Sequence, residues 1–135
     1  MGDFSQNGII SNLHDFGTKT TADIEKELVK FSKERKMELI LPSLYSELKG
    51  DALPNIVKQI GETKYLNHII IGLDKASKSE AIKAWKFFKK LNTPFTILWN
   101  DGPKLKKLHK ELKEKGLAPS ETGKGRNVWY CLGMC

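Results

Sequence analysis

Apolar residues follow two kinds of pattern along this chain, and the two kinds alternate. The clearest apolar run, residues 68–73, is β-branched and nearly continuous. Such a run is typical of a strand that is buried on both faces of a parallel sheet. Residues 37–41 and residues 95–99 are shorter apolar runs and predict two further strands. Pro42 is expected to end the first strand and to begin a loop that reaches Glu47.

Between these runs, apolar residues recur every three or four positions, as they do on one face of a helix. The helices are predicted to begin near Thr20 or Thr21, at Pro54, after Ser79 and after Pro103. The apolar positions predicted to face the core in the first, third and fourth helices are Ile24, Leu28 and Phe31, then Ile82, Trp85, Phe88 and Leu91, then Leu105, Leu108 and Leu112.

Strands that alternate with helices predict βαβ units and an α/β fold. We expect residues 20–135 to form one three-layer αβα domain around a mostly parallel, Rossmann-like sheet. Residues 1–19 show neither pattern and are expected to form an irregular leader. Because right-handed crossovers place the carboxyl ends of parallel strands on one edge, a ligand is expected to bind at that edge.

The charge of the chain favours an anionic partner. Lysine and arginine number 23 against 16 acidic residues, which gives a formal net charge of +7. Many lysines within residues 104–115 alternate with the leucines of one predicted helix, as on the solvent face of an amphipathic helix. The sequence shows no recognition-helix, RNA-binding or zinc-finger motif, so no specific nucleic-acid partner is predicted.

The cysteine spacing and the hydropathy of the sequence indicate the cellular compartment of the protein. Cys131 and Cys135 are four residues apart, which places them on one helical face rather than in a disulfide framework. The sequence shows neither a signal peptide nor an apolar run of the roughly 20 residues that span a bilayer. A cytoplasmic protein without a transmembrane segment is therefore expected.

The residues Gly123-Lys124-Gly125-Arg126 precede a short apolar run near the end of the chain. Two glycines and two cations at the start of a helix can present backbone N–H groups and positive charge to a phosphate. The alternative interpretation is a flexible glycine turn whose charged side chains are solvated.

Carboxylates are expected at the same edge of the sheet. Glu47, Asp74 and Asp101 follow or end the three predicted strands. Such side chains can accept hydrogen bonds from ribose hydroxyls or base N–H groups, while Lys124 and Arg126 can bind a diphosphate. The combination predicts a nucleotide site, although the chain has neither a dinucleotide-binding glycine motif after its first strand nor a phosphate-binding P-loop.

Three segments in this order, residues 39–47, 69–74 and 123–129, resemble the nucleotide-sugar half of GT-A glycosyltransferases. The similarity is greatest to the branch that contains glucosyl-3-phosphoglycerate synthases and related family 2 and family 81 enzymes. It implies that Pro42, Ser43 and Glu47 line the nucleoside, that Asp74 meets the base or ribose, and that Lys124 approaches the diphosphate. The implied partner is a nucleoside-diphosphate sugar.

The same resemblance implies a divalent metal, Mg or Mn, in the complete enzyme. The Asp-x-Asp metal motif of the family is absent from this sequence, and no metal site is evident in it. We therefore expect an N-terminal part of a truncated GT-A fold that lacks the acceptor half, so that activity of the chain alone stays open. An apolar last helix without a cover predicts self-association.

Two other classes of function are compatible with the sequence. One is a non-catalytic α/β module that binds a phosphate-containing ligand or a protein partner. The other is a basic protein that binds nucleic acid without sequence preference, an interpretation that rests on charge alone.

Overall fold

The computed structural model describes residues 19–135. This part of the chain contains five α-helices and three β-strands. In chain order they are α1 (Thr21–Glu34), β1 (Glu38–Leu44), α2 (Ala52–Glu62), β2 (His68–Asp74), α3 (Lys78–Phe88), β3 (Phe95–Trp99), α4 (Pro103–Glu114) and α5 (Lys124–Leu132). A short 3₁₀ helix, Tyr45–Lys49, follows β1. The predicted leader, apart from its last residue, lies outside the described residues.

The three strands form a parallel sheet in the order β1-β2-β3, with β2 in the centre. The register pairs Leu44 with Asp74 at the carboxyl ends of β1 and β2, and Leu73 with Trp99 at those of β2 and β3. The predicted α/β fold with a parallel sheet between helices is therefore confirmed.

One face of the sheet carries the hydrophobic core. Ile69, Ile71 and Leu73 of β2 are fully buried there and belong to one cluster with residues of α2 and α3. The helix residues of that cluster are Leu53, Val57, Ala84 and Phe88. Complete burial of a side chain of this size stabilises the fold by about 1.5–3 kcal/mol. This face therefore supplies the rigid support for the ends of the strands.

The opposite face of β1 and β2 is covered by α5. The close approach occurs at Gly72, where an added Cβ atom would lie 1.8 Å from Oδ1 of Asn127 and 2.7 Å from Sγ of Cys131. A glycine inside a strand is typical of such a contact, because a side chain would hold the helix away from the sheet. Gly72 therefore sets the distance between α5 and β2.

The prediction that Pro42 ends the first strand is wrong. β1 continues through Pro42, which pairs with Gly72, and ends at Leu44. The expected loop from Pro42 to Glu47 is instead the end of β1 followed by the 3₁₀ helix. A proline is accommodated because β1 is an edge strand of the described sheet, where an N–H group can be missing without breaking the ladder.

The predicted core faces of three helices also need correction. Ile82 and Trp85 of α3 are about half exposed, at 52% and 49%, whereas the predicted Phe88 and Leu91 do belong to the cluster, together with Ala84, which was not predicted. Positions repeated every three residues drift around a helix of 3.6 residues per turn, so they do not share one face. Ile24 and Phe31 of α1 and Leu108 of α4 are likewise exposed.

The predicted starts of α1 to α4 lie within two residues of the observed ones. α1 begins after Thr20, whose hydroxyl accepts a hydrogen bond from the backbone N–H of Asp23. α3 begins two residues earlier than expected, because Ser77 rather than Ser79 caps it. Gly116 follows α4 with a left-handed backbone at φ 69°, as expected of a glycine that ends a helix.

Candidate nucleotide site

A polar cleft of about 300 Å³ lies where β1 and β2 end and α5 begins. Its walls come from the end of β1, the 3₁₀ helix, the end of β2 and the start of α5. The residues that line it are Pro42, Ser43, Leu44, Glu47, Asp74, Lys75, Gly123, Lys124 and Asn127. Six of the nine residues predicted for the site therefore lie around one cavity: Pro42, Ser43, Glu47, Asp74, Gly123 and Lys124.

Ser43 is the buried hydroxyl of the cleft. The side chain is 2% exposed, and its Oγ has no hydrogen-bond partner among the described residues. A buried hydroxyl without a partner is costly to a folded protein. A ligand atom in the cleft would relieve that cost, because a hydroxyl can either donate or accept.

Glu47 has one carboxylate oxygen already engaged. Its Oε2 accepts a hydrogen bond of 2.8 Å from the backbone N–H of Leu44, which fixes the side chain at the start of the 3₁₀ helix. The other oxygen is left for a further donor. Glu47 therefore both shapes the cleft wall and offers an acceptor to a ligand.

Asp74 is the last residue of β2 and is 6% exposed. Its Oδ1 accepts a hydrogen bond of 3.1 Å from the backbone N–H of Lys75. Placement at the end of the central strand fixes the carboxylate more rigidly than a loop would. Asp74 is thus an oriented acceptor in the floor of the cleft.

The start of α5 supplies the donors. Gly123 precedes the helix with φ 139°, a backbone conformation that favours glycine, and its C=O accepts the first helical hydrogen bond, from the N–H of Asn127 at 3.1 Å. The N–H groups of residues 124–126 precede that bond and have no partner within the helix. Together with the Lys124 side chain, they give this end of α5 a positive character.

Asn127 holds α5 in this position, and sequence reasoning missed it. Its side chain is 3% exposed and its Nδ2 donates to the C=O of Gly72 at 2.8 Å. Its Oδ1 accepts a weak bond of 3.7 Å from the Cys131 thiol, and burial raises the pKa of that thiol to about 11. The thiol therefore stays protonated at neutral pH. A glycine within a β-branched run was the available signal of this contact.

Asp101 is a predicted site residue that lies outside the lining of the cleft. Its Oδ2 accepts a hydrogen bond of 3.0 Å from the backbone N–H of Ala76. Asp101 therefore connects the end of β3 to the loop after β2. The prediction placed it at the correct edge of the sheet, but the observed contact is with the backbone.

Gly125 and Arg126 are on α5 and also do not line the cleft. The charge of Arg126 acts on Tyr130, one turn further along the helix. Burial raises the pKa of the Tyr130 phenol, and the Arg126 charge opposes that shift. Of the two predicted cations, Lys124 is thus the one placed on the cleft, and Lys75 joins it from another element.

A second cavity, the apolar groove, has a volume of about 1020 Å³ and lies between β3, α4 and α5. Its lining includes Leu98 and Trp99 of β3, Leu105, Leu108 and Leu112 of α4, and Trp129, Leu132 and Met134 at and after the end of α5. Leu132 and Met134 are more than half exposed. The end of the last helix therefore exposes an apolar surface.

Two curated proteins match nearly the whole chain. A glucosyl-3-phosphoglycerate synthase from Persephonella marina is 43% identical over 133 residues, which are 98% of this chain and 33% of that protein. The chain is a relative of glucosyl-3-phosphoglycerate synthases. A protein of the same name from Methanococcoides burtonii is 31% identical over 126 residues, which are 93% of this chain and 31% of that protein.

The similarity to glucosyl-3-phosphoglycerate synthases confirms the resemblance found in the three sequence segments. The chain spans about a third of the length of these two relatives. No family model matches the chain, and no solved structure matches it. Among residues 19–135, no helix is long and apolar enough to cross a membrane.

Proposed function

We propose that this chain is the part of a glycosyltransferase that binds a nucleoside-diphosphate sugar. The name of both relatives, glucosyl-3-phosphoglycerate synthase, points to glucose as the sugar and to 3-phosphoglycerate as the acceptor. The observation that carries the proposal is the polar cleft, in which strand-end carboxylates lie opposite a helix N-terminus with a lysine. This combination matches the two chemically different halves of a nucleoside diphosphate.

In this proposal the acceptors bind the nucleoside and the donors bind the diphosphate. Asp74 and the free oxygen of Glu47 accept hydrogen bonds from ribose hydroxyls or base N–H groups. The Ser43 hydroxyl, which has no partner among the described residues, bonds to the ligand. The first N–H groups of α5 and the Lys124 ammonium bind the phosphates.

During transfer, the bond between the sugar and the diphosphate breaks and negative charge grows on the departing phosphate. Donors that are already oriented stabilise such charge without reorganisation. The buried bond between Asn127 and Gly72 keeps the start of α5 in place for this purpose. We assign this chain the binding of the donor and the stabilisation of its leaving group.

A divalent metal is a separate expectation of the family resemblance. Within residues 19–135, no group of three or more His, Cys, Asp or Glu side chains could hold a metal ion. Asp74 and Glu47 are the acidic residues of the cleft, and each already accepts a backbone hydrogen bond. The residues present do not fit a metal, and no step is assigned to one.

The volume of the cleft suits the sugar donor alone better than the donor and the acceptor together. Ligand pockets usually measure roughly 300–1,000 Å³, and this cleft lies at the lower limit at about 300 Å³. We propose that the acceptor binds to a part of the enzyme that corresponds to the remaining two thirds of the relatives. The free thiols Cys131 and Cys135 fit a reducing cytoplasm, where we place the protein.

Calorimetric titration tests the proposal. UDP-glucose, GDP-mannose, UDP and GDP are added to the folded chain, with and without Mn²⁺, and saturable binding of one donor and its diphosphate is expected. A folded chain that binds none of them contradicts the proposal. A chain that binds UDP but transfers no glucose to 3-phosphoglycerate supports the binding role and leaves transfer to a longer protein.

We also propose that the chain self-associates through the apolar groove. Trp129, Leu132 and Met134 expose 45%, 58% and 52% of their surface there. Exposed apolar patches of this kind mark sites where proteins associate. Sedimentation velocity over a hundredfold range of concentration is expected to show dimers at the upper end, and a single monomer species throughout would contradict this proposal.

A further inference from the structure

Lys75 has an unusual backbone conformation next to the candidate site. Of the residues that the structure describes, it is the one non-glycine residue with a positive φ, at 53°. The left-handed region is unfavourable for a residue with a Cβ atom, and such residues persist where their surroundings hold them. The neighbours of Lys75 must therefore fix this turn.

The turn is held from the end of β3. The backbone N–H of Ala76 donates to Oδ2 of Asp101 at 3.0 Å. The C=O of Ala76 accepts a bond of 2.8 Å from Nε1 of Trp99. Ala76 itself is 4% exposed, and both bonds are partly buried. Asp101 and Trp99 together fix the residue that follows Lys75.

Lys75 is also hydrogen-bonded to the preceding residue, Asp74, which lines the cleft. Its backbone N–H donates to Oδ1 of Asp74 at 3.1 Å. This bond and the two bonds to Ala76 place Lys75 in the cleft lining, on a different wall from Lys124. Two lysines from different elements thus line one cavity of about 300 Å³.

We propose that Lys75 contacts the diphosphate of the donor and determines specificity for it, completing with Lys124 a clamp of two cations. This inference rests on the proposed function. Without Lys75, the two carboxylates Asp74 and Glu47 would outnumber the one remaining lysine of the cleft lining, so a ligand with several phosphate charges needs both lysines and the N-terminus of α5. Asp101 and Trp99 are positioning residues that act through Ala76.

The positive charge of Lys75 is expected to favour diphosphates over ligands with less negative charge. A nucleoside has no charge for Lys75 to meet, whereas a diphosphate offers several anionic oxygens. Affinity in the wild-type protein is therefore expected to rise steeply from nucleoside to monophosphate to diphosphate. Loss of the Lys75 ammonium is expected to flatten this series.

The main test uses Lys75→Gly, because glycine accepts the left-handed turn without its cost. The probes are UDP or GDP, whichever the wild type binds, with the corresponding monophosphate and nucleoside. We expect the diphosphate to bind about tenfold more weakly, the loss of one charge-assisted contact. The nucleoside is expected to bind as before, and the midpoint of thermal unfolding to stay level or rise.

Two further variants control for charge and position. Lys75→Arg keeps the charge and is expected to bind the diphosphate within about threefold of the wild type, a loss of less than one hydrogen bond. Lys78→Gln removes an exposed lysine three residues away, at the start of α3 and outside the cleft lining, and is expected to bind as the wild type does.

The positioning role is tested with a double-mutant cycle. Asp101→Ala removes the acceptor of Ala76 and is expected to weaken diphosphate binding, because Lys75 is no longer held at the cleft. In Lys75→Gly with Asp101→Ala, the loss is expected to be no greater than in Lys75→Gly alone. Additive losses would contradict the positioning role of Asp101.

The remaining outcomes are also decisive. Undiminished diphosphate binding by Lys75→Gly overturns the inference while the proposed function stands. Equal losses for nucleoside and diphosphate overturn it as well, because they show a general disturbance of Asp74. A folded wild type that binds no nucleotide overturns the proposed function and this inference together.

Discussion

The polar cleft and the apolar groove use opposite ends of the same helix and differ in every property that decides what can bind. The cleft surrounds the start of α5 with fixed donors and acceptors, whereas the groove lies along its end and is lined mainly by leucine and aromatic side chains. The groove has more than three times the volume of the cleft, at about 1020 Å³ against about 300 Å³.

This difference shows that volume alone does not identify the site of a charged ligand. A nucleoside diphosphate loses its hydration when it binds, and fixed polar groups must replace that hydration. The cleft offers such groups and the groove offers few, so the groove is suited to another apolar surface. A single helix thus borders a polar cleft at its N-terminus and an apolar groove at its C-terminus.

The largest expected effect is that of Gly72→Ala, which should displace α5 and so disrupt the cleft. The new Cβ atom would lie 1.8 Å from Oδ1 of Asn127 and would push α5 away from β2. We expect a loss of at least about 2 kcal/mol in the free energy of unfolding, measured with urea, and loss of nucleotide binding.

Gly61→Ala is the matched control for this change. An added Cβ atom at Gly61 meets nothing within 4 Å, and the residue lies within α2. Alanine is favoured over glycine in a helix by up to about 1 kcal/mol, so this variant is expected to be slightly stabilised. Equal stability of the two variants would show that Asn127 can move aside without cost.

Lys124→Ala tests the division of the cleft into two halves. We expect diphosphate binding to weaken by about 10- to 100-fold, because a charge-assisted contact contributes roughly 1.5–3 kcal/mol. Nucleoside binding is expected to change little, as measured by calorimetry. The control is Lys113→Ala, which removes an exposed lysine of α4, and an equal loss for nucleoside and diphosphate would argue against a phosphate role of Lys124.

Alkaline pH tests the packing of α5, because it deprotonates the buried thiol of Cys131. The unfolded thiol ionises near its ordinary value of 9.0, whereas burial raises the pKa of the folded thiol to about 11. The folded protein therefore keeps the thiol proton up to a higher pH than the unfolded protein does. This contribution to stability is complete below pH 9 and is lost as the pH rises towards 11.

The measurement is the free energy of unfolding of the wild type and of Cys131→Ala between pH 8 and pH 11. The difference between the two proteins is expected to shrink as the pH rises through this window. Cys135→Ala is the control, since its thiol is exposed and it retains Cys131. A difference that is constant with pH would show that the Cys131 thiol is open to water.

The smallest expected effect on stability is that of Leu132→Ser in the groove. The side chain is 58% exposed, so the free energy of unfolding is expected to change by less than about 0.5 kcal/mol. Sedimentation velocity should nevertheless show less dimer than in the wild type, and nucleotide affinity should be unchanged. A loss of nucleotide binding without loss of dimer would reverse the roles assigned to the two cavities.

The order of helices and strands and the parallel pairing of the strands could be predicted from the sequence. The β-branched run of β2 and the apolar run of β3 were bounded almost as observed, and Gly123 and Gly116 stand where a helix begins and another ends. These features depend on local propensity and on the spacing of apolar residues, which neighbouring residues in the chain decide. The common edge of the strand ends follows from parallel topology.

Only the tertiary structure shows that Asn127 and Lys75 join the predicted residues at that edge. Asn127 and Lys75 line the cleft because α5 rests on Gly72 and because Asp101 and Trp99 hold the loop after β2. These contacts join residues 23 to 55 positions apart in the chain. Local periodicity carries no information on such distances, since the register of strands and the depth of helix packing set them.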